Sequence, residues 1–332
     1  MMWLAWCCCF IAAVGLGLVL LCVAIHIYYR TKYLEQIIRI FEEAGLPPGV
    51  FQMVNGGADV GEAVVVAPEV RIISFTGSTL AGRKVGELGG KHLKRTHLEL
   101  GGNNALIVLP GVDIAKAASA GAFGSWMHQG QICMTTGRHI VHESVYDDYV
   151  AALVEKANHL PVGNPATDQV ALGPIIDANQ TAKVQAIVDE TVKQGGNLLA
   201  GGTHEGNFFK PTVLADLKPE MSAWKDEIFG PVAPIMKFST MEEAVALANN
   251  SEYGLSIGIL GDVGEAMKIA DLLNTGILHI NEQTVADEAP IPFGGVGASG
   301  TGSRFGGAEA NIEAFTEQQW LTVRPDIAPY PF

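Results

Sequence analysis

Apolar residues recur along most of the chain at the spacings of helices and strands in regular alternation. Leu34, Ile37, Ile38 and Phe41 recur at helical spacing, and Gly45 is expected to end that helix before two prolines. Further along, short apolar runs rich in β-branched residues predict strands, and amphipathic runs between them predict helices. Alternation of this kind favours an α/β architecture with parallel strands.

The individual elements follow from the same pattern. Strands are predicted over Phe51–Val54, Val70–Phe75, Ala105–Leu109, Arg138–His142, Val232–Phe238, Leu255–Leu260, Ile277–Ile280 and Gln318–Val323. A helix that ends at about Leu88 is predicted after the glycine-serine turn in Thr76–Gly82, and further helices are predicted over Ile114–Met127, Val145–Ala157, Ala178–Gln194, Met241–Asn249 and Gly264–Leu273.

The first segment differs from everything that follows. Met1–Tyr29 contains no Asp, Glu, Lys or Arg, and it is long enough to cross a bilayer as a helix. Aromatic residues lie at both of its ends, and Arg30 and Lys32 follow at once. The pattern predicts a single-pass transmembrane helix over residues 1–30, with the rest of the chain on the cytoplasmic side. The alternative is an apolar start that does not belong to the functional protein.

Composition narrows the classes of function. The chain has 332 residues and a formal net charge of -14, and it lacks the basic block that would indicate nucleic-acid binding. Four of its cysteines, Cys7, Cys8, Cys9 and Cys22, fall in the apolar first segment. The remaining cysteine, Cys133, has neither a disulfide framework nor a metal-ligand pattern around it, which suits a reducing compartment and a protein without a bound metal.

Three stretches carry candidate chemistry. Cys133 is either a small buried hydrophobe or a nucleophile. The turn at Gly77 and Ser78, between a strand and a helix, offers N–H groups and a helix dipole to a phosphate, although many such turns are only tight connections. Glu99 lies between two leucines. It either points outward from an edge strand or has a raised pKa in an apolar setting, which suits a general base.

Five motifs, in this order, resemble the aldehyde dehydrogenase superfamily, and the resemblance extends from Leu34 to the end of the chain. They are FTGSTLAG at Phe75–Gly82, LELGG at Leu98–Gly102, GQICMTTGR at Gly130–Arg138, EIFGP at Glu227–Pro231 and PFGG at Pro292–Gly295. Within the superfamily, residues 101–104, 128–131 and 294–307 are most similar to the benzaldehyde dehydrogenases and related aromatic-aldehyde enzymes. The implied fold is α/β and aldehyde dehydrogenase-like, with an incomplete dinucleotide-binding sheet and an α/β catalytic domain.

The resemblance also implies a role for each matching residue. Cys133 is expected to attack the aldehyde carbonyl, hydride then passes to a nicotinamide, and Glu99 activates water to hydrolyse the thioester. The implied cofactor is NAD, with NADP left open. The residues that match cofactor-binding positions are Gly77, Ser78, Gly82, Leu100, Gly101, Glu227 and Phe229. Those that match the substrate tunnel are Trp126 and Met127, with simple helix packing as the alternative for Met127.

Four segments are predicted from these features. They are a transmembrane helix at 1–30, a remnant of the NAD(P)-binding domain at 31–102, a catalytic domain with the thiol at 103–307, and a C-terminal strand and oligomerisation tail at 308–332. Members of the family carry a large region before the equivalent of Leu34, including a Pro-Trp-Asn motif that this sequence lacks.

The expected function is NAD(P)-dependent oxidation of an aldehyde, aromatic by the subfamily resemblance. A homo-oligomer is left open. One alternative is a catalytically impaired, membrane-tethered relative that acts as a scaffold, and the other is a fragment that results from an incorrect gene start.

Overall fold

The computed structural model describes residues 34–332, and the chain divides into two compact units, residues 1–67 and 68–332. The described part of the first unit contains α1 (34–43) and α2 (Ala58–Val66). α1 confirms the first predicted helix. The predicted strand Phe51–Val54 is wrong, because none of the described strands pairs with these residues and they have no regular structure.

The predicted membrane segment, Met1–Tyr29, lies outside the described residues. Among residues 34–332, no helix combines the length and the apolar character needed to cross a bilayer. The longest helix of this part has 16 residues and includes charged side chains such as Lys183 and Glu190, whereas a span needs about 20 mostly apolar residues. The predicted single-pass membrane localisation is corrected accordingly, and the membrane is not carried further as a partner.

The second unit begins with a parallel β-α-β element. It consists of β1 (Ile72–Thr76), α3 (Thr79–Lys91) and β2 (Arg95–Glu99), with Thr76 opposite Glu99 in the register. Within the described chain, β1 and β2 form a two-stranded sheet of their own. The carboxyl ends of these two strands, at Thr76 and Glu99, therefore lie side by side.

The remaining elements build a larger layer. The strands are β3 (Asn104–Val108), β4 (Thr136–His142), β5 (Asn197–Ala200), β6 (His204–Glu205), β7 (Phe208–Phe209), β8 (Thr212–Ala215), β9 (Val232–Phe238), β10 (Tyr253–Gly254), β11 (Ser256–Leu260), β12 (Ile277–Ile280) and β13 (Val296–Gly297). The helices are α4 (Ile114–Trp126), α5 (Tyr146–His159), α6 (Ala178–Lys193), α7 (Ser222–Lys225), α8 (Met241–Asn249), α9 (Val263–Ala270) and α10 (Ala308–Phe315).

Seven of the described strands form the main sheet, in the order β12-β11-β3-β4-β9-β8-β5. Neighbouring strands run parallel except β5, which is antiparallel to β8. The sheet is buried on both faces: Ala105 and Ile107 of β3 face α6, α8 and α9, whereas Leu106 and Val108 face α4 and α5. Burial on both faces explains why these strands are continuous apolar runs in the sequence.

The predicted strands and helices between residues 70 and 280 are confirmed, with small shifts at their ends, but the C-terminal prediction is wrong. The pattern did not predict α10, and Gln318–Val323 has no regular structure. The Trp320 side chain in this segment is 93% exposed. None of the described strands lies beside the segment, so its N–H and C=O groups have no ladder to join.

A buried guanidinium group ties the main sheet to the end of α8. Arg138 in β4 donates to the carbonyl oxygens of Asn103, Leu247 and Ala248, each at 2.9 Å. The last carbonyls of a helix lack partners within the helix and favour a nearby cation. Burial lowers the pKa of Arg138 to about 10, so the group stays charged at neutral pH. Arg138 thereby holds the strand that follows Cys133.

Replacing Arg138 by Met should lower the free energy of unfolding by about 3–5 kcal/mol, because buried carbonyls lose a charged partner. The matched control is Arg83→Met, which removes an exposed ion pair with Glu252 and should cost less than about 1 kcal/mol. Urea unfolding of both variants measures the difference. Equal losses would contradict the role assigned to Arg138.

Candidate active site

The candidate residues gather where the small sheet leads into the main sheet. Glu99 ends β2, and Gly101 and Gly102 connect it directly to β3. Cys133 and Glu227 lie in the loops before β4 and β9. Because β3, β4 and β9 are neighbouring parallel strands, their amino ends lie along one edge of the sheet, which brings these loops together.

The loop between α4 and β4 holds Cys133 on an unusual backbone. His128, Gln129 and Gly130 all have positive φ angles, of 49°, 60° and 66°. A left-handed conformation costs a residue other than glycine about 1–2 kcal/mol. A Cβ atom on Gly130 would overlap the carbonyl oxygen of Gly230, so this approach requires glycine. Strain of this kind persists only where tertiary contacts hold it, as they often do at functional sites.

The Cys133 thiol is partly buried, and its pKa is raised to about 11. Burial is the main cause, and the negative charges of Glu99 and Glu227 add to it. The N–H groups of Cys133 and Met134 face the sulfur and act in the opposite direction. The sulfur therefore lies near two carboxylates and two backbone donors, and it is protonated at neutral pH in this environment.

Glu99 is only 9% exposed, and burial raises the pKa of its carboxyl group to about 7. The charge of Arg304 and the N–H of Gly295 offset part of that rise. Neither carboxylate oxygen has a hydrogen bond of good geometry to another described residue. Both side chains lie against Gly294. A Cβ atom on Gly294 would be 3.1 Å from Glu99 Oε1 and 2.7 Å from Arg304 Nη1, so the carboxylate and the guanidinium group are close neighbours. A carboxyl group with this pKa can both accept and release protons near neutrality.

A cleft of about 520 Å³ lies between the start of α3 and the loop before β9, and Ser78, Lys183 and Glu227 help to line it. The Ser78 hydroxyl caps α3 by accepting from the Ala81 N–H at 3.3 Å. The first turn of a helix directs unpaired N–H groups and a positive dipole end outward, which suits a phosphate. This end of the cleft therefore fits the pyrophosphate of a dinucleotide.

Glu227 supplies a carboxylate on the other side of the cleft. Its Oε1 accepts from the Gly102 N–H at 3.0 Å, and burial raises the pKa of this carboxyl group. A Cβ atom on Gly101 would overlap the Glu227 carboxylate, so the position of the side chain depends on glycine at 101. A carboxylate held in this way is a suitable acceptor for ribose hydroxyl groups.

Other predicted cofactor residues lie around the cleft without lining it. A Cβ atom on Gly82 would overlap the side chain of Leu100, so these two residues pack α3 closely against the end of β2. Phe229 has a φ of 55°, and its carbonyl oxygen accepts from Gln180 Nε2 at 2.9 Å. Gly77 donates its N–H to the Glu99 carbonyl at 3.1 Å, which joins the phosphate turn to the residue that carries the candidate base.

Trp126 and Met127, the predicted tunnel residues, lie together on the wall of a cavity of about 600 Å³. Phe123, Leu160 and Leu172 share this wall, which is mostly apolar. Neither Cys133 nor Glu99 is among its lining residues. The structure therefore brings Cys133, Glu99 and Glu227 together, and residues 128 and 129 of the loop that carries Cys133 form part of the wall of the apolar cavity.

The sequence interpretation missed three residues of this region. Arg304 influences Glu99 electrostatically and donates to the Gly294 carbonyl, and Lys183 Nζ donates to the Glu227 carbonyl at 3.0 Å. Asn104 donates to the Cys133 carbonyl at 2.8 Å. Of these three, only Arg304 could have been selected from the sequence as a candidate site residue, because it is the one charged residue in the glycine-dense stretch from 294 to 307.

Comparison with known proteins agrees with this geometry. The model of the aldehyde dehydrogenase family matches residues 31–321. A vanillin dehydrogenase from Amycolatopsis sp. is 61% identical over 297 residues, and a benzaldehyde dehydrogenase [NAD(+)] from Pseudomonas putida is 50% identical over 297 residues. Each alignment covers 89% of this chain and 61% of the relative, so the chain spans about three fifths of the length of these relatives.

The fold is similar as well. The crystal structure of a salicylaldehyde dehydrogenase from Pseudomonas putida G7 complexed with salicylaldehyde superposes with a TM-score of 0.85 at 38% identity. The superposition covers 90% of this chain and 62% of that one. The expected α/β fold is confirmed. The family match begins at residue 31, after the apolar segment on which the membrane prediction rested, and it gives no support to a membrane-tethered scaffold.

Replacing Glu99 by Gln should stabilise the protein at about pH 8 and have much less effect at about pH 5. The carboxyl group has a pKa of about 7 in the folded chain, against an ordinary value of 4.5 for glutamate. Between pH 4.5 and about pH 7 the folded state therefore binds more protons than the unfolded state. The free energy of unfolding of the wild type falls as the pH rises through this range. The pH-dependent part of the difference should reach about 3 kcal/mol.

Urea unfolding of the wild type and of Glu99→Gln at both pH values measures this effect. Glu87→Gln, which changes an exposed carboxylate on α3, is the matched control and should show little change with pH. A Glu99→Gln effect of the same size at both values would exclude the buried, titrating carboxyl group.

Proposed function

Because the chain belongs to the aldehyde dehydrogenase family, we propose that it oxidises an aromatic aldehyde to the carboxylic acid with NAD as the hydride acceptor. The observation that carries this proposal is the convergence of the Cys133 thiol, the Glu99 carboxyl group and the cleft that Glu227 lines. The names of the relatives, a vanillin and a benzaldehyde dehydrogenase, support the aromatic class. The second of these names also specifies NAD(+), which supports the cofactor.

Cys133 acts as the nucleophile in this proposal. Its Sγ forms a bond to the aldehyde carbon, the π electrons of the carbonyl move to oxygen, and the thiol proton passes to a carboxylate. Glu99 is the carboxylate with the larger influence on the thiol. The N–H groups of Cys133 and Met134 face the sulfur and stabilise negative charge there.

When bound, NAD accepts the hydride that leaves the carbon attached to Cys133. We assign Gly77 and Ser78 to the pyrophosphate, Glu227 to the ribose hydroxyls next to the nicotinamide, and Phe229 to a position beside that ribose. Gly82, Leu100 and Gly101 shape the cleft, because Gly82 allows Leu100 to pack against α3 and Gly101 allows the Glu227 carboxylate to approach.

Glu99 completes the reaction. Once the proton received from the thiol has passed to solvent, the Glu99 carboxylate takes a proton from water, and the resulting hydroxide oxygen attacks the thioester carbon. The C–S bond then breaks to release the acid, and the proton held by Glu99 returns to the Cys133 sulfur. A pKa of about 7 leaves a large fraction of Glu99 ionised at slightly alkaline pH, which suits this role. The apolar wall at Trp126, Met127 and Phe123 suits a flat aromatic ring.

Replacing Cys133 by Ala should reduce formation of reduced nicotinamide from benzaldehyde or vanillin by at least about a thousandfold, because the covalent intermediate cannot form. The absorbance of the reduced nicotinamide measures the rate. Cys22→Ala, which removes a thiol from the apolar first segment, is the control and should leave the rate unchanged. Identical time courses for the wild type and Cys133→Ala would reject the proposed function.

Replacing Glu99 by Gln should slow turnover by about 10²–10⁴-fold, because hydrolysis of the thioester loses its base. The acyl-enzyme should then accumulate and be visible as a mass increase on the peptide that contains Cys133. Glu87→Gln serves as the control and should show neither effect. An undiminished steady-state rate in Glu99→Gln would exclude Glu99 as the base.

A further inference from the structure

Side chains from distant parts of the fold bind the carbonyl groups of the loop that carries Cys133. Asn104 Nδ2 donates to the carbonyl oxygens of Cys133 and Thr135, both at 2.8 Å. The Thr284 hydroxyl donates to the carbonyl oxygen of Met134 at 2.7 Å. Three consecutive carbonyl groups are therefore fixed by two side chains.

These two anchors are themselves held in place. Asn104 Oδ1 accepts from the Ser256 N–H at 2.9 Å, and the Ser256 hydroxyl donates to the Thr284 carbonyl at 2.8 Å. The Thr136 and Thr284 hydroxyls are 2.7 Å apart. Since the Thr284 proton goes to Met134, Thr136 is the donor of this pair. All four side chains are at most 3% exposed, so water does not compete for their hydrogen bonds.

The carbonyl groups matter because a trans peptide directs its C=O and the following N–H to opposite sides. The Thr284 hydroxyl fixes the peptide group between Met134 and Thr135, which directs the Thr135 N–H to the Ile132 carbonyl at 2.9 Å. The Ile132 carbonyl held in this way orients the N–H of Cys133. The Cys133 carbonyl is held by Asn104, which orients the N–H of Met134. These two N–H groups are the ones that face the sulfur.

We propose that Asn104 and Thr284 are positioning residues for the nucleophile. Their hydrogen bonds to the carbonyl groups of residues 133–135 direct the N–H groups of Cys133 and Met134 toward the sulfur. There these N–H groups stabilise the negative charge that develops when the sulfur attacks. The inference rests on the proposed function only in taking Cys133 as the nucleophile. Neither side chain is proposed to touch the substrate.

A purely structural role predicts a different result, and Thr191 provides the comparison. Thr191 is completely buried, its hydroxyl donates to the Ile187 carbonyl at 2.7 Å, and it accepts from the Ala223 N–H at 3.0 Å. Thr191→Val therefore removes a hydroxyl with the same number of hydrogen bonds as Thr284→Val, but on α6. A general loss of stability should affect both variants alike.

The test measures the reactivity of Cys133 in the full-length chain without aldehyde or cofactor. Iodoacetamide is the probe, and mass spectrometry of the Cys133 peptide separates this thiol from the other cysteines. Below the pKa of a thiol, the alkylation rate follows the thiolate fraction. Thr284→Val should lower the rate about tenfold or more across neutral and mildly alkaline pH, as a rise of one unit in the thiol pKa requires.

Thr284→Ser keeps the hydroxyl and should restore the rate, and Thr191→Val should react like the wild type. If Thr284→Val does not fold, as judged by circular dichroism, Thr284→Ala replaces it, because it also removes the hydroxyl that donates to the Met134 carbonyl, and it should show the same loss of rate.

Equal rates in the wild type and the folded Thr284 variant would overturn the proposal, and so would an equal loss in Thr191→Val. If Thr284→Val lowers the alkylation rate of Cys133 but the wild type does not oxidise aldehydes, the proposed function is rejected and the positioning role of Thr284 stands.

Discussion

A peptide group that leaves water must find a hydrogen-bond partner inside the protein, and the region around Cys133 is built on this requirement. A buried carbonyl without a partner costs about 1–3 kcal/mol. The loop before β4 and the end of α8 contain several buried carbonyl groups of this kind, and Asn104, Thr284 and Arg138 donate hydrogen bonds to them. Because these partners come from separate elements, the loop, β3, β4 and α8 depend on one another for the hydrogen bonds of their buried peptide groups.

The same burial determines the chemistry. Removing Glu99 and Cys133 from water raises the pKa of both groups, to about 7 and about 11. A buried carboxyl group such as Glu99 lowers the free energy of unfolding when it ionises, so it does not stabilise the fold at neutral pH. It is a good choice for moving a proton between a thiol, a water molecule and solvent. The charge of Arg304 limits the rise of the Glu99 pKa, so that it stays at about 7, where the group can gain and lose a proton near neutral pH.

Glycine allows these groups to approach one another. Gly101 admits the Glu227 carboxylate, and Gly130 admits the backbone of Gly230. A side chain at either position would separate loops that belong to different strands. The glycine-rich motifs by which this chain resembles the aldehyde dehydrogenase family therefore have a direct steric meaning in its own structure.

The sequence by itself determined the alternation of strands and helices in the main layer, because parallel strands buried on both faces are continuous apolar runs that can be recognised locally. Its motifs also singled out Cys133, Glu99 and Glu227 as candidate site residues. The strands expected at Phe51–Val54 and Gln318–Val323 did not form, since a strand depends on a neighbour that its own residues do not specify. Thr284 and Met134 are 150 residues apart, and only tertiary structure brings that hydroxyl to that carbonyl. The pKa values of Glu99 and Cys133 were likewise decided by tertiary structure, because desolvation depends on what packs around a group and not on its neighbours in sequence.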